Sequence, residues 1–233
     1  MNNFSTERSL NLYNDIPKFL ATGHGADIAS QRADDLDLMA IKHTGSRAST
    51  FAIDIACGAG GQAIRLAQQG ASVVATDIAD MAEIIKSAST GLPGRVTFVQ
   101  QDMRSLDKLY NSLELLADVI ICQRAIHYLP FPDAIGVISG IKKLLAPDGR
   151  LYLSASGIHS ELGEGYAGRE FDLSLSDRYG ELSPAMRDKH GIHGPVCLYS
   201  EEDMAKLLIN GGLVPEIIFS SKFGNIKAVA RHV

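Results

Sequence analysis

The stretch that most constrains the fold is residues 51–77. Phe51 to Ala56 is an apolar, partly β-branched run of the length of a buried strand. A glycine-rich turn follows, Cys57-Gly58-Ala59-Gly60-Gly61, and Ile64, Leu66 and Ala67 then mark a helix that ends at Gly70. Ser72 to Thr76 is a second apolar strand, closing on Asp77. Glycines let the backbone of the turn approach a ligand where any Cβ would collide. The helix that starts there adds unpaired N–H groups and a partial positive charge. An acid closing the next strand can accept from both hydroxyls of a ribose. Together these features predict a βαβ unit that binds a nucleoside.

Two ligand classes compete for such a unit. Gly58-x-Gly60-x-x-Ala63 fits a dinucleotide fingerprint, with Asp77 lying 77 − 58 = 19 residues on. The flank decides between them. Asp54 stands inside the first strand, ahead of the glycines, where a dinucleotide site has no evident use for it. The run Asp54-Ile-Ala-Cys-Gly-Ala-Gly resembles the first motif of class I S-adenosylmethionine-dependent methyltransferases, with Ala56 in place of the first glycine.

That resemblance implies a doubly wound α/β sheet of order 3-2-1-4-5-7-6 with the last strand antiparallel, and S-adenosylmethionine as methyl donor. It also implies roles. Asp54 helps to position the donor's ammonium, the backbone of Ala56, Cys57, Gly58 and Gly60 holds the methionine moiety, and Asp77 with the adjacent Ile78 meets the ribose. Asp102, after the third strand, accepts from the adenine amino group, and Met103 reaches the ring through its N–H. Asp118-Val-Ile-Ile-Cys-Gln-Arg-Ala-Ile-His-Tyr-Leu resembles the fourth motif, which brings Gln123 to the donor and Arg124 and His127 to the transfer centre. Leu144-Leu-Ala-Pro-Asp-Gly-Arg-Leu resembles the approach to strand five, so the likeness spans about residues 51–155.

Length and composition agree with one domain. The 233 residues suffice for a single sizeable α/β core, and 45% hydrophobic content is ordinary for a globular protein. A formal charge of −5 offers no basic surplus for a phosphate backbone, so nucleic acid is disfavoured as a partner. No apolar run is long enough to span a bilayer, and the polar start reads as no signal peptide, so a cytoplasmic location is expected. Cys57, Cys122 and Cys197 lack metal-ligand spacing and read as small core residues; His190-Gly-Ile-His193 has no third ligand at a useful spacing, and no metal is expected. The sequence sets no oligomeric state.

Four segments follow from the patterning. Residues 1–50 read as a helical extension, with Tyr13, Ile16, Phe19 and Leu20 at helical spacing and again Ala33, Leu36, Met39 and Ala40, and the resemblance implies that it folds over the ligand as a lid. Tyr13 and Arg32 are candidate donor contacts there; core packing for the one and a solvated charge for the other remain equal readings. Residues 51–155 form the donor-binding core. In it Asp80 with Glu83 resembles a capping box, and Leu106, Leu109, Leu113 and Leu116 line one helix. Residues 156–199, rich in Gly, Ser and charge, form an insertion with no good helix before Ser200, which the resemblance implies builds the acceptor site. Residues 200–233 supply a last helix and an antiparallel strand pair joined near Gly224.

For the chemistry, the methyl must be held in line with a nucleophile and water excluded. His127 is the best-placed base, with a structural histidine as the even alternative, and Arg124 suits an acidic substrate group or a local ion pair. Strand four does not end in the Asn-Pro-Pro-Tyr type of tetrapeptide that holds a flipped adenine, and no Pro-Cys dipeptide is present for attack on cytosine. The expected reaction is methylation of an oxygen or nitrogen of a small metabolite; a tRNA base or protein side chain as acceptor, and a non-catalytic donor-binding regulator, stand as alternatives.

Overall fold

Strand and helix alternate from Phe51 onward, and that alternation sets the architecture. The computed structural model describes residues 24, 25, 27, 32–169 and 173–233; Tyr13 and the helix predicted around it lie outside these residues. The described strands are β1 (Phe51–Ile55), β2 (Ser72–Asp77), β3 (Arg95–Gln100), β4 (Ala117–Gln123), β5 (Leu145–Ala155), β6 (Val214–Ser220) and β7 (Ile226–Arg231). They form one sheet of order β3-β2-β1-β4-β5-β7-β6. Only β7 runs against its neighbours β5 and β6. The order reverses between β1 and β4, so the crevice at the carboxyl ends of these two strands is where a ligand is expected.

Side chains alternate across the sheet with the period of a strand. Ile53, Ile55, Ile120, Cys122, Leu151 and Leu153 face one side and bury Leu109 of α4 (Leu106–Ser112), Ile138 and Ile141 of α5 (Phe131–Leu144) and Leu207 of α7 (Glu201–Asn210). Ala52, Val73, Ala75, Val119, Ile121 and Tyr152 face the other side. There they cover Leu36 and Ala40 of α1 (Asp35–Gly45), Leu66 of α2 (Gly61–Gln68) and Ile85 of α3 (Ala82–Ala88). Each layer removes a continuous apolar face from water, which is the main force holding it.

Several sequence expectations change in detail. Ser200 and Asp203 form the predicted capping box at the start of α7. Asp80 and Glu83 do not: Met81 is the N-cap of α3, and the Asp80 carboxylate turns back to accept from Ala82 N at 3.0 Å. Helix α4 stops at Ser112 because Leu113 is already extended, which leaves Leu116 exposed. Strand β5 starts at Leu145 rather than Arg150, with a break in its register opposite Ala117 and Val119. Helix α1 carries Leu36 and Ala40 into the layer beneath the sheet, so this part of the N-terminal segment packs as core rather than over a cleft.

The insertion holds a helix that apolar periodicity did not reveal, α6 (Pro184–His190). Its signals are terminal ones: Ser183 at the N-cap, Pro184 in the first turn and Gly191 at φ 65° after its end. The insertion has its own buried cluster of Ile158, Leu162, Tyr166, Leu182, Met186, Ile192, Val196 and Leu198. Its two ends are joined by Ile158 N to Tyr199 O at 2.9 Å, and it is tied to β4's exit through Cys197 N to His127 O at 2.8 Å.

Candidate active site

The turn after β1 is held by side chains from three directions. Ala56 leaves the strand at φ 55°, a left-handed conformation that costs a residue with a Cβ about 1–2 kcal/mol. Gly58 and Gly60 follow at φ 53° and 79°. Gly58 N donates to Asp77 Oδ2 at 2.9 Å, Ala59 N to Asp27 Oδ2 at 2.8 Å, and Gly60 N to Cys57 O at 2.9 Å. Inside β1, Asp54 is 2% exposed and accepts from Ala63 N, in the first turn of α2, at 2.9 Å. Burial raises its pKa well above the ordinary carboxylate value, and the nearby Asp27, Asp37 and Asp77 carboxylates push the same way.

A single cavity of about 1020 Å³ opens over this turn and runs along the ends of β1, β4 and β5. Its volume is at the upper end of the roughly 300–1,000 Å³ of a pocket for one ligand. One half is lined by Asp54, Ala56, Cys57, Gly58, Asp77, Ile78, Asp102 and Met103. The middle is lined by Gln123, Arg124 and His127, and the far half by Tyr128, Leu129, Leu162, Tyr179, Ile192 and Phe223 together with charged residues such as Asp133, Glu161, Lys189 and Lys222.

The sequence candidates therefore gather around one space, with three exceptions. Gly60 lies behind the turn, where a Cβ would stand 2.8 Å from Ile85 Cγ1, so its role is the packing of turn on helix. Arg32 reaches only the rim, its guanidinium 5.8 Å from the Phe223 ring. Tyr13 is outside the described residues.

The electrostatics distinguish the candidates further. Asp102 caps the short turn at Met103–Ser105 and pairs with Arg104, whose guanidinium holds the carboxyl below its ordinary pKa. An adenine amino group would share that carboxylate with Arg104. Arg124 sits at φ 50°, held by its N–H to Ser154 Oγ at 3.0 Å. Gln123 links Ser154 to Asp37 of α1. His127 is 1% exposed; Ser156 N donates to its Nδ1 at 3.4 Å, and Ser156 Oγ lies 3.3 Å from Nε2. Burial, with Arg124 and His24 adding to it, pushes its pKa down to about 3. The proton-accepting role expected of His127 is poorly matched to that value, because a general base works best with a pKa near the working pH. The ring is a neutral hydrogen-bonding group.

Sequence reasoning missed two residues of the first half. Asp27 arrives from the N-terminal segment onto Gly58 and Ala59. Gln62, in the first turn of α2, lines the cavity at 2% exposure with neither amide atom hydrogen-bonded. Its place just after the glycines was the available signal; nothing local marks Asp27. His190 of the insertion lies 3.3 Å from Glu161, and the described residues hold no group of three or more His, Cys, Asp or Glu arranged for a metal ion.

A family model described as a methyltransferase domain matches residues 52–149. Over 104 residues the chain is 36% identical to a ubiquinone biosynthesis O-methyltransferase of Xylella fastidiosa, a match covering 44% of this chain and 40% of the relative. Residues 52–149 are similar to methyltransferase domains, as the resemblance of the first and fourth motifs implied. The match thus spans about two fifths of the length of that curated relative. In fold, the chain is similar to a Pyrococcus horikoshii protein at TM-score 0.68 and 16% identity, over 96% of this chain and 99% of the other. It is likewise similar to the magnesium protoporphyrin IX methyltransferase of Synechocystis with bound S-adenosylhomocysteine, at TM-score 0.60 and 20% identity over 97% and 94% of the two chains.

The residues of the cavity's first half fit S-adenosylmethionine as a ligand. A Cβ at Gly58 would stand 2.6 Å from Asp27 Oδ2, so the turn admits no side chain at that point. The unbonded Gln62 amide offers both a donor and an acceptor to a polar ligand. Asp77, Ile78 and Met103 line the same half and would meet the ribose and the base.

Proposed function

We propose that this chain transfers the methyl group of S-adenosylmethionine to an oxygen or nitrogen of a small metabolite enclosed in the cavity. The observation that carries this reading is the continuity of the cavity from the glycine turn to a far half that mixes apolar and aromatic side chains with charged ones such as Asp133, Glu161 and Lys189. Bound there, the donor supplies a methyl made electrophilic by its sulfonium. The chain's task is then to align the acceptor and exclude water. Residues 156–199 act as a cover over the acceptor half. Gly25 N donates to Gly191 O at 3.1 Å and His24 bridges to Ile192, so the N-terminal segment meets that cover over the opening. Such a closed space suits a small acceptor better than a duplex or a folded protein.

Arg124 holds an acidic group of the acceptor, since no described carboxylate is ion-paired with it. His127 supports this arrangement as a neutral ring bonded to Ser156. The names of the relatives above refer to ubiquinone, in whose biosynthesis one acts, and to magnesium protoporphyrin IX. Both are small molecules, which supports the acceptor class without identifying the acceptor.

The test is incubation with methyl-labelled donor and separate metabolite, tRNA and protein fractions. Label in the metabolite fraction supports the reading. Label confined to tRNA or protein, or none transferred by a chain that binds the donor, refutes it.

A further inference from the structure

Methyl transfer to an O–H or N–H group releases a proton that a base must take. His127 is ill suited to this, because burial holds its pKa at about 3. Among the described residues three other histidines line the cavity, His24, His159 and His190. His159 and His190 stand on the insertion, where His190 lies 3.3 Å from Glu161. His24 comes from the N-terminal segment and is held in place through its backbone. It bridges to Ile192, its carbonyl accepts from the Tyr128 hydroxyl, and Gly25 N donates to Gly191 O at 3.1 Å. Gly25 turns the chain there at φ 79°, where a Cβ would stand 3.2 Å from His190 O and 3.3 Å from Ile192 Cγ1.

The ring is placed between the two halves of the cavity. It meets the Tyr128 ring edge-on with centroids 4.7 Å apart, and Tyr128 lies 4.2 Å from the His127 ring. It also lies within the field of Asp77, which raises its pKa against the larger lowering effect of burial. His24 thus stands between Asp77, on the glycine-turn half, and His127, at the middle. A sulfonium held over the glycine turn would face the acceptor across that boundary. The titratable groups around the ring are Asp77 at the end of β2, His127 and Tyr128 after β4, and His190 at the end of α6. With burial the stronger influence, the ring is a neutral imidazole at physiological pH, and unlike His127 it is exposed, so a proton it takes can leave.

We infer that His24 is the general base of the transfer. This rests on reading the reaction as methylation of an O–H or N–H acceptor in the cavity. A ring nitrogen of His24 takes the acceptor's proton as the acceptor's oxygen or nitrogen attacks the methyl carbon. The carbon–sulfur bond breaks and its electron pair stays on sulfur, leaving S-adenosylhomocysteine, the methylated acceptor and an imidazolium. The imidazolium then gives its proton to solvent. Because His24 arrives on the N-terminal segment and is seated on the insertion, the base is in place only while those two segments meet.

The test uses the full chain, methyl-labelled S-adenosylmethionine and a metabolite extract diluted until the initial rate follows kcat/KM. Wild-type activity should fall as pH drops through a midpoint below 6.5. His24→Gln should transfer label about 10²–10⁴-fold more slowly and lose that acid limb, while its affinity for S-adenosylhomocysteine by calorimetry changes less than about threefold. His127→Gln should keep the limb. A second measurement needs no acceptor. In proton NMR of the full chain the His24 ring resonance, assigned by its absence from His24→Gln, should titrate below 6.5 and move when S-adenosylhomocysteine binds.

A rate in His24→Gln within about threefold of the wild type overturns the proposal, since a lost base costs far more. So does an acid limb that survives the substitution, or a ring resonance indifferent to bound S-adenosylhomocysteine. Equal losses of rate and of S-adenosylhomocysteine affinity also overturn it, because His24 would then be a donor contact. A wild type that binds S-adenosylhomocysteine but labels nothing in the extract refutes the small-acceptor reading itself, a different result from any of these.

Discussion

The Asp77 carboxylate bridges the end of β2 to the glycine turn after β1, accepting from Gly58 N at 2.9 Å through Oδ2 while Oδ1 accepts from Ala79 N at 2.9 Å. One side chain therefore fixes the turn and faces the cavity. Asp77→Ala should weaken S-adenosylhomocysteine by roughly 10–100-fold, the value of a charged hydrogen bond or two, and should also lower the melting temperature. Calorimetry and a melting curve on the same sample check both parts. Unchanged affinity would remove Asp77 from the donor site.

A pH prediction follows from α1. Asp37 is 2% exposed; burial and the adjacent Asp34 raise its pKa to about 6, against the favourable bonds to Asp34 N and Gln123 and the field of Arg65. Lys227 holds Asp34, the other carboxylate of this cap. With the folded pKa above the unfolded value of 3.8, the folded state binds more protons between the two. That contribution to stability is complete below the unfolded value and is lost as pH rises through about 6. Asp37→Asn should therefore gain stability relative to the wild type by about 1–3 kcal/mol more at about pH 8 than at about pH 4. Denaturant titrations at the two values measure the difference; an effect of opposite sign would contradict the assigned burial.

His127 supplies a second pH test, with the opposite sign for stability. Its pKa of about 3 lies below the ordinary 6.5, so the unfolded chain takes up the proton first. The contribution is present above 6.5 and is lost as pH falls toward 3. In catalysis, His127→Gln should reduce turnover through the lost Ser156 contact but leave the shape of the pH profile of kcat/KM unchanged. Disappearance of a limb near neutrality in that variant would restore the base reading.

The glycine-turn half of the cavity was legible in the sequence because its parts are local. Strand, glycine turn, helix and closing acid lie within one βαβ unit, so Asp54, Gly58 and Asp77 could be placed from spacing and resemblance alone. The links made across the chain were not legible. Asp27 reaches Ala59 over 32 residues and Gln123 reaches Asp37 over 86, and no local pattern marks either pair. Caps show the same limit at short range. Ser200 and Asp203 closed their box, whereas Asp80, with the same kind of spacing to Glu83, found Ala82 N first. His127 was placed correctly on the cavity, but its proton affinity depends on burial, which the sequence does not display.

The insertion and the β6–β7 turn meet at a point without slack. A Cβ on Gly157 would stand 1.9 Å from Gly224 O, a backbone atom that cannot swing aside. Gly157→Ala should destabilise the chain by about 2–4 kcal/mol and move the turn that carries Lys222 and Phe223 at the cavity mouth. A denaturant titration reads the loss; a change below about 0.5 kcal/mol would show that the two segments separate freely.

The central claim is that the cavity over the Gly58 turn is an S-adenosylmethionine site. Calorimetric titration of the wild-type chain with S-adenosylhomocysteine and, separately, with a nicotinamide dinucleotide tests it most directly. The account predicts saturable one-site binding of S-adenosylhomocysteine, reduced by Asp77→Ala, and no heat from the dinucleotide. Tight binding of the dinucleotide with none of S-adenosylhomocysteine would contradict it.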